Sequence, residues 1–180
     1  YIERLKARDD AALTRLYEDH VTYIDRLLYR VLGPDPNHQD LVQDVFINAI
    51  ESLIRFRGDE SSLRPWLAKI AVHRARRELR YRKVRRFIGL SPAGELPDLP
   101  ATDNPELQAQ LQRVFEIIDR LGTDDQLVFS LHVIHQMKLE EVAETLDVSL
   151  STVKRRYKRA RERFERRMAD TSRNRGGPSR

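Results

Sequence analysis

The residues of this chain with the most chemistry in them are cations. Lys154, Arg155, Lys158, Arg159, Arg161 and Arg163 gather on the exposed face of one helical stretch. Ser149 or Ser151 can cap its start with a hydroxyl. The first turn of such a helix fits the major groove, where Arg and Lys donate to guanine O6 and N7 and backbone amides meet phosphates. Ser151, Thr152, Lys154 and Arg155 are best placed for that contact, with Lys158 and Arg159 next along the face. Just upstream, Val142, Ala143, Leu146, Val148 and Val153 are spaced to pack two crossed helices, and the small Ala143 allows close approach. This is the pattern of a DNA-reading helix-turn-helix. Asp147 takes the tight-turn position where glycine is common, and aspartate tolerates left-handed backbone better than most residues.

Other chemistries find few residues to use. The chain has no cysteine, which removes thiolate catalysis, disulfides and the usual structural zinc sites and fits a reducing cytoplasm. His132 and His135 stand three apart on one helix, but no third ligand is near, so they read as packing residues rather than a metal pair. No glycine-rich phosphate loop, nucleophile elbow or Ser/His/Asp set occurs, and Asp124–Asp125 fits the capped start of a helix. The expectation is a protein that is not an enzyme, with no catalytic residue, cofactor or metal. Its 33 Lys and Arg against 28 Asp and Glu give a net charge of +5, which draws it to polyanions. No apolar run approaches the roughly 20 residues that span a bilayer, and no signal-type segment opens the chain, so a cytoplasmic protein without membrane contact is expected. Tyr1 is not an initiator and the first methionine is Met137, consistent with residues upstream of this segment.

The elements that must position these groups are helices. Leu13, Leu16, Tyr17, Val21, Ile24, Leu27, Leu28 and Val31 form one helical stripe, closed by Gly33-Pro34-Asp35-Pro36. Leu41, Val42, Val45, Phe46, Ala49, Ile50, Leu53 and Ile54 form a second. A third begins at Ser61 or Ser62 as cap, with Pro65 in the first turn, and turns Leu63, Trp66, Leu67, Ile70, Ala71, Ala75 and Leu79 inward. Residues 89–105 carry repeated prolines that deny a helix its hydrogen bonds, and read as a linker. Helical period returns at Leu107, Leu111, Val114, Phe115 and Ile118, and again at Leu127, Val128, Leu131 and Ile134. The expected fold is all-α: two small helical domains, a three-helix bundle over 1–88 and a helix-turn-helix domain over 106–169, joined by a flexible linker. Residues 170–180 read as a disordered basic tail.

Six segments resemble one known family. Asp40-Leu41-Val42-Gln43-Asp44-Val45-Phe46, then Phe56-Arg57-Gly58-Asp59, then Leu63-Arg64-Pro65-Trp66-Leu67-Ala68-Lys69-Ile70-Ala71 are similar, in order and spacing, to region 2 of extracytoplasmic-function (ECF) sigma factors of the bacterial sigma-70 family. Leu121 to Gln126, Thr152-Val153-Lys154 and Arg159-Ala160-Arg161 resemble region 4. The resemblance implies a factor that carries core RNA polymerase to promoters and assists melting. The second domain would read the minus-thirty-five element through Ser151, Thr152, Lys154, Arg155, Lys158 and Arg159. Asp40, Gln43, Asp44, Asn48 and Glu51 form a polar, acidic face opposite the apolar stripe. Spacing alone favours an ordinary solvated face. The resemblance makes it the surface that docks on the beta-prime clamp helices, with the beta flap as a further polymerase contact.

The loop around Asp59, Ser61, Ser62 and Arg64 would receive a base flipped from the minus-ten element. The basic run from Arg74 to Arg86, which includes Arg76, Arg77, Arg80, Arg82, Lys83 and Arg85 and is interrupted by Tyr81, looks like a surface that follows phosphates and stacks a base. Within it, Arg74, Arg77, Arg80 and Tyr81 are the minus-ten candidates. His73 and Arg77 depart from the family's usual asparagine and acidic residue. Trp66 reads as core. The acidic linker is equally a nucleic-acid mimic or a solvated tether. The family also implies an anti-sigma partner. The rival reading is a conventional helix-turn-helix regulator that never joins core polymerase, which would not need the run from Arg74 to Arg86.

Overall fold

A computed structural model of the chain describes residues 1–88 and 104–173. A short helix α1 (Ile2–Lys6), which the apolar pattern does not announce, precedes α2 (Asp10–Leu32). Asp9 starts α2 by accepting from the Ala12 N–H at 2.9 Å, and Gly33 ends it. Helix α3 (His38–Ser52) tightens into a 3-10 turn at Leu53–Arg55, which rotates Ile54 outward to 74% exposure against the expectation that it joins the buried stripe.

Helix α4 (Leu63–Phe87) follows a second 3-10 turn, Glu60–Ser62. Neither serine caps it as expected. Both hydroxyls donate to Asp59, whose carboxylate also takes the Ser62 N–H. Aspartate, an acceptor only, takes the backbone donor and both hydroxyls together.

In the second unit, Asn104 caps α5 (Pro105–Asp119) by accepting from the Glu106 and Leu107 N–H groups, and Pro105 takes the first position, where no donor is needed. Helix α6 (Thr123–Phe129) runs on through a π turn at Ser130–Ile134. Helices α7 (Leu139–Leu146) and α8 (Leu150–Arg173) complete it. Helix α8 thus enters the stretch read as a disordered tail. Residues 174–180 and the expected linker at 89–103 lie outside the described residues.

No strand occurs among the described residues. Helices α2, α3 and α4 pack on one another around Leu16, Ile24, Leu27, Val45, Leu67 and Leu79. Trp66 packs at the edge of this core, its ring 4.8 Å from that of Phe56. The two units also touch: α4 packs against α6 and α7, and α2 against the π turn. Leu127, Leu131, Val142, Leu146 and Val153 therefore belong to the same apolar cluster as the bundle of α2 to α4. A small second cluster joins Ile118, Leu121, Phe129 and Ala160.

Candidate nucleic-acid interface

The turn between α7 and α8 has the geometry that a helix-turn-helix needs. Asp147 sits at φ 54°, ψ 49°, the left-handed conformation expected of it, and the Val148 N–H returns to the Ala143 carbonyl at 3.1 Å. Of the two candidate serines, Ser149 is the cap: its Oγ accepts the Thr152 N–H at 3.2 Å and lies 3.0 Å from the Ser151 hydroxyl and 2.9 Å from that of Thr152. Val142, Leu146 and Val153 are buried beneath, which fixes the direction of α8. Lys154, Arg155 and Lys158 then stand exposed at its start, and no ion pair engages them among the described residues.

Arg159 is held differently. Its guanidinium grips the buried Asp125 carboxylate with two parallel hydrogen bonds, 2.7 Å from Nε and 2.5 Å from Nη2, which raises its pKa further above the ordinary arginine value. Arg163 reaches the same carboxylate at 3.5 Å, and Arg156 pairs with Asp124 at 2.9 Å. Asp124 and Asp125 thus act as partners of α8 rather than as caps of α6, which has no side-chain cap. Chain order hides this pairing, since more than thirty positions separate the partners.

Helix α4 divides its cations among four directions. Arg74 faces α3 and donates to Asp44 at 2.9 Å, so a minus-ten candidate and a polymerase-face candidate are tied to each other. Arg82 pairs with Asp35 and donates to the Leu32 carbonyl at 2.7 Å. Arg76, Lys83 and Arg86 face the second unit. Arg77, Arg80 and Tyr81 remain exposed along with His73. Arg85 lies over the Tyr81 ring at 5.6 Å. Four further apolar or aromatic exposures, Val84, Phe87 and Ile88 here and Ile47 on α3, escaped the sequence reading because they interrupt no apolar stripe.

The loop before α4 is pre-ordered. Hydrogen bonds from the Ser61 and Ser62 hydroxyls hold the Asp59 carboxyl below the usual carboxylate range. Arg64 is turned away from its loop mates, its guanidinium 4.1 Å over the Tyr23 ring. On α3, Asp40, Gln43, Asn48 and Glu51 are exposed and Asp44 is half-buried, with Ile47 53% exposed among them. An apolar centre ringed by polar side chains is the anatomy of a protein-binding face.

The histidines are packing groups. His132 donates Nδ1–H to the Met137 carbonyl at 2.8 Å and meets Tyr157 edge-on. His135 lies against Tyr23 with its ring centroids 5.6 Å apart. No group of three metal-binding side chains occurs among the described residues. No helix there is long and apolar enough to cross a membrane.

Comparison with known proteins matches both units. Residues 16–85 fit the family model of sigma-70 region 2, and residues 111–164 that of sigma-70 region 4. The ECF RNA polymerase sigma-E factor of Haemophilus influenzae is 30% identical over 91% of each chain, and that of Escherichia coli K12 is 29% identical over 91% of this chain and 90% of its own. Among solved structures, CnrH in complex with the cytosolic domain of CnrY has a TM-score of 0.64 at 22% identity, covering 94% of this chain and 95% of CnrH. The sigma factor RpoE of Bartonella quintana, in complex with the anti-sigma factor NepR, has a TM-score of 0.62 at 20% identity, covering 87% and 96%. At those identities the likeness is one of fold.

Proposed function

The chain belongs to the sigma-70 family, among its ECF RNA polymerase sigma factors, and on that premise we propose how its surfaces divide the work of bringing core polymerase to a promoter. Helix α8 reads the minus-thirty-five element as duplex, with Ser151, Thr152, Lys154, Arg155 and Lys158 toward the groove and Arg159 steadied by Asp125. The observation that carries this reading is the capped start of α8, with Lys154, Arg155 and Lys158 exposed there and unpaired among the described residues. The open face of α4, Arg77, Arg80 and Tyr81, and the loop of Asp59, Ser61, Ser62 and Arg64 serve the minus-ten element. Arg74 joins them once Asp44 releases it.

The α3 face of Asp40, Gln43, Asp44, Asn48 and Glu51, now with Ile47 at its centre, docks on the beta-prime clamp helices, and the second unit adds contact with the beta flap. Region 2 spans 1–88 and region 4 spans 106–169, with 89–105 as linker and 170–180 as a basic tail. Catalysis belongs to the polymerase, so the factor itself is not an enzyme and works where the polymerase does, in the cytoplasm. A solved protein of this fold is held by an anti-sigma factor, and a partner of that kind is proposed here.

Run-off transcription with core polymerase tests the division. The intact chain should give promoter-dependent transcripts. Glu51→Lys should lose polymerase capture while keeping duplex binding, and Lys154→Ala/Arg155→Ala should do the reverse. A folded chain that binds promoter DNA and never directs core enzyme would be a conventional regulator instead.

A further inference from the structure

Five guanidinium groups and two carboxylates gather where α4 meets the start of α6. Asp125, 2% exposed, takes Arg159 through both oxygens and Arg163 at 3.5 Å. Asp124 answers Arg156 at 2.9 Å and Arg76 at 3.4 Å. Each carboxylate already has two cations. Arg80 is the fifth cation, exposed and engaged by no ion pair among the described residues. Five cations against two carboxylates leave three positive charges uncompensated.

That surplus faces a cavity. Arg80, Arg159 and Arg163 line a cleft of about 330 Å³ together with Gly122 and Thr123. The side chains of Arg159 and Arg163 keep 47% and 52% of their surface exposed despite their bonds to Asp125. A guanidinium carries five N–H donors, and Asp125 takes two of them from Arg159. Thr123 Oγ1 accepts from Lys83 at 3.2 Å, which leaves its own hydroxyl proton to donate. The cleft therefore offers a ligand donors and positive charge. Guanidinium forks take phosphate oxygens two at a time, so several forks on one cleft suit a chain of phosphates. Small-molecule sites begin at about 300 Å³, so the volume is adequate. Duplex DNA strings its phosphates along the outside of a rod and brings a concave cleft only the edge of one strand.

We propose that this cleft binds a small polyphosphate anion, held by Arg80 from the first unit and by Arg159 and Arg163 from the second, with Thr123 as a further donor. Asp125 is the positioning residue, fixing Arg159 and Arg163 side by side before a ligand arrives. Inorganic polyphosphate and a nucleoside triphosphate share the required chemistry. Arginine stays protonated across the physiological range, so the protein's side of the attraction is constant there. The site does not depend on the promoter reading, although Arg80 and Arg159 figure in both.

Titration calorimetry of the full chain with sodium tripolyphosphate, at about 0.15 M salt and without magnesium, should give one saturable site. ATP, run in parallel, separates the two sources: preference for it by about tenfold or more assigns a nucleotide, and the reverse preference assigns the inorganic chain. Arg80→Gln and Arg163→Gln should each weaken tripolyphosphate binding about tenfold, since each removes charge-assisted bonds. Gly122→Leu tests the cleft without touching charge. Gly122 has φ −60°, open to any residue, and a Cβ there would meet only Asp125 Oδ2, at 3.9 Å. The added side chain should fill the cleft and abolish binding. Arg26→Gln/Arg166→Gln removes two exposed cations outside the cleft and should bind as the parent does. Circular dichroism and the urea midpoint verify the fold of each variant. Absence of a saturable site overturns the proposal, as does Gly122→Leu binding like the parent, or the outside pair weakening binding as much as Arg80→Gln. No DNA or polymerase is present, so a chain that fails here yet directs transcription loses the polyphosphate site and keeps the promoter reading.

Discussion

Asp125 is 2% exposed and answers two cations, so its loss would be felt beyond its own position. Asp125→Asn keeps the shape but halves the charge-assisted bonding to Arg159. It should destabilise the fold by about 2 kcal/mol, read as a lower urea midpoint, and loosen α8 on α6. Beside His20, whose pKa burial also lowers, His135 is a source of pH dependence. Burial first, then the Arg30 and Arg64 cations, lower its pKa from the ordinary 6.5. Between the lowered value and 6.5 the folded chain binds fewer protons than the unfolded one, so stability is complete above 6.5 and falls as pH drops through that window. His135→Phe should flatten part of the loss in urea midpoint from about pH 7 to about pH 5. At this scale the sequence was partly readable. The left-handed Asp147 and the exposed Lys154 and Arg155 follow from local turn chemistry and spacing. The partners of Arg159, Arg74 and Lys83 do not, because each lies thirty or more positions away and is chosen by helix packing.

Among the elements, α4 is the one whose period was clearest and whose cations were hardest to assign. Its apolar positions, Leu63, Leu67, Ala71, Ala75 and Leu79, are buried as the stripe required. From Arg74 to Arg86 the positions off the stripe are mostly basic, and such a run carries no mark of which cation meets α3, which meets α6 and which stays open. Helix α8 gives the plainest test of a reading helix. Lys154→Ala/Arg155→Ala should lower the slope of log affinity against log salt by about 2 and weaken minus-thirty-five binding at least about tenfold. The joint after α2 is a different kind of position. Gly33 has φ 69° and ψ −169°, a region essentially reserved for glycine. Gly33→Ala should cost about 1–3 kcal/mol in chemical denaturation, with Phe115 displaced from its seat.

For the whole molecule, the all-α class, the two units and their order were legible because each stripe, cap and proline break is a local signal. Their association was not. Nothing in the periodicity of Leu127, Leu131, Val142 or Leu146 distinguishes packing within the second unit from packing onto the bundle of the first, yet all four sit in the shared cluster. That shared core makes closure partly hydrophobic, and hydrophobic association weakens on cooling because apolar hydration carries a large heat capacity. Separating the units should therefore become easier toward the freezing point of water. The chain lacks cysteine, so spin labels on Glu18→Cys and Glu162→Cys, one exposed site in each unit, should show a long-distance population that grows between about 25 °C and about 5 °C, whereas association through ion pairs alone would leave it flat. The joined core makes the arrangement of the two units sensitive to cold, in addition to the cold sensitivity that each unit's own core carries.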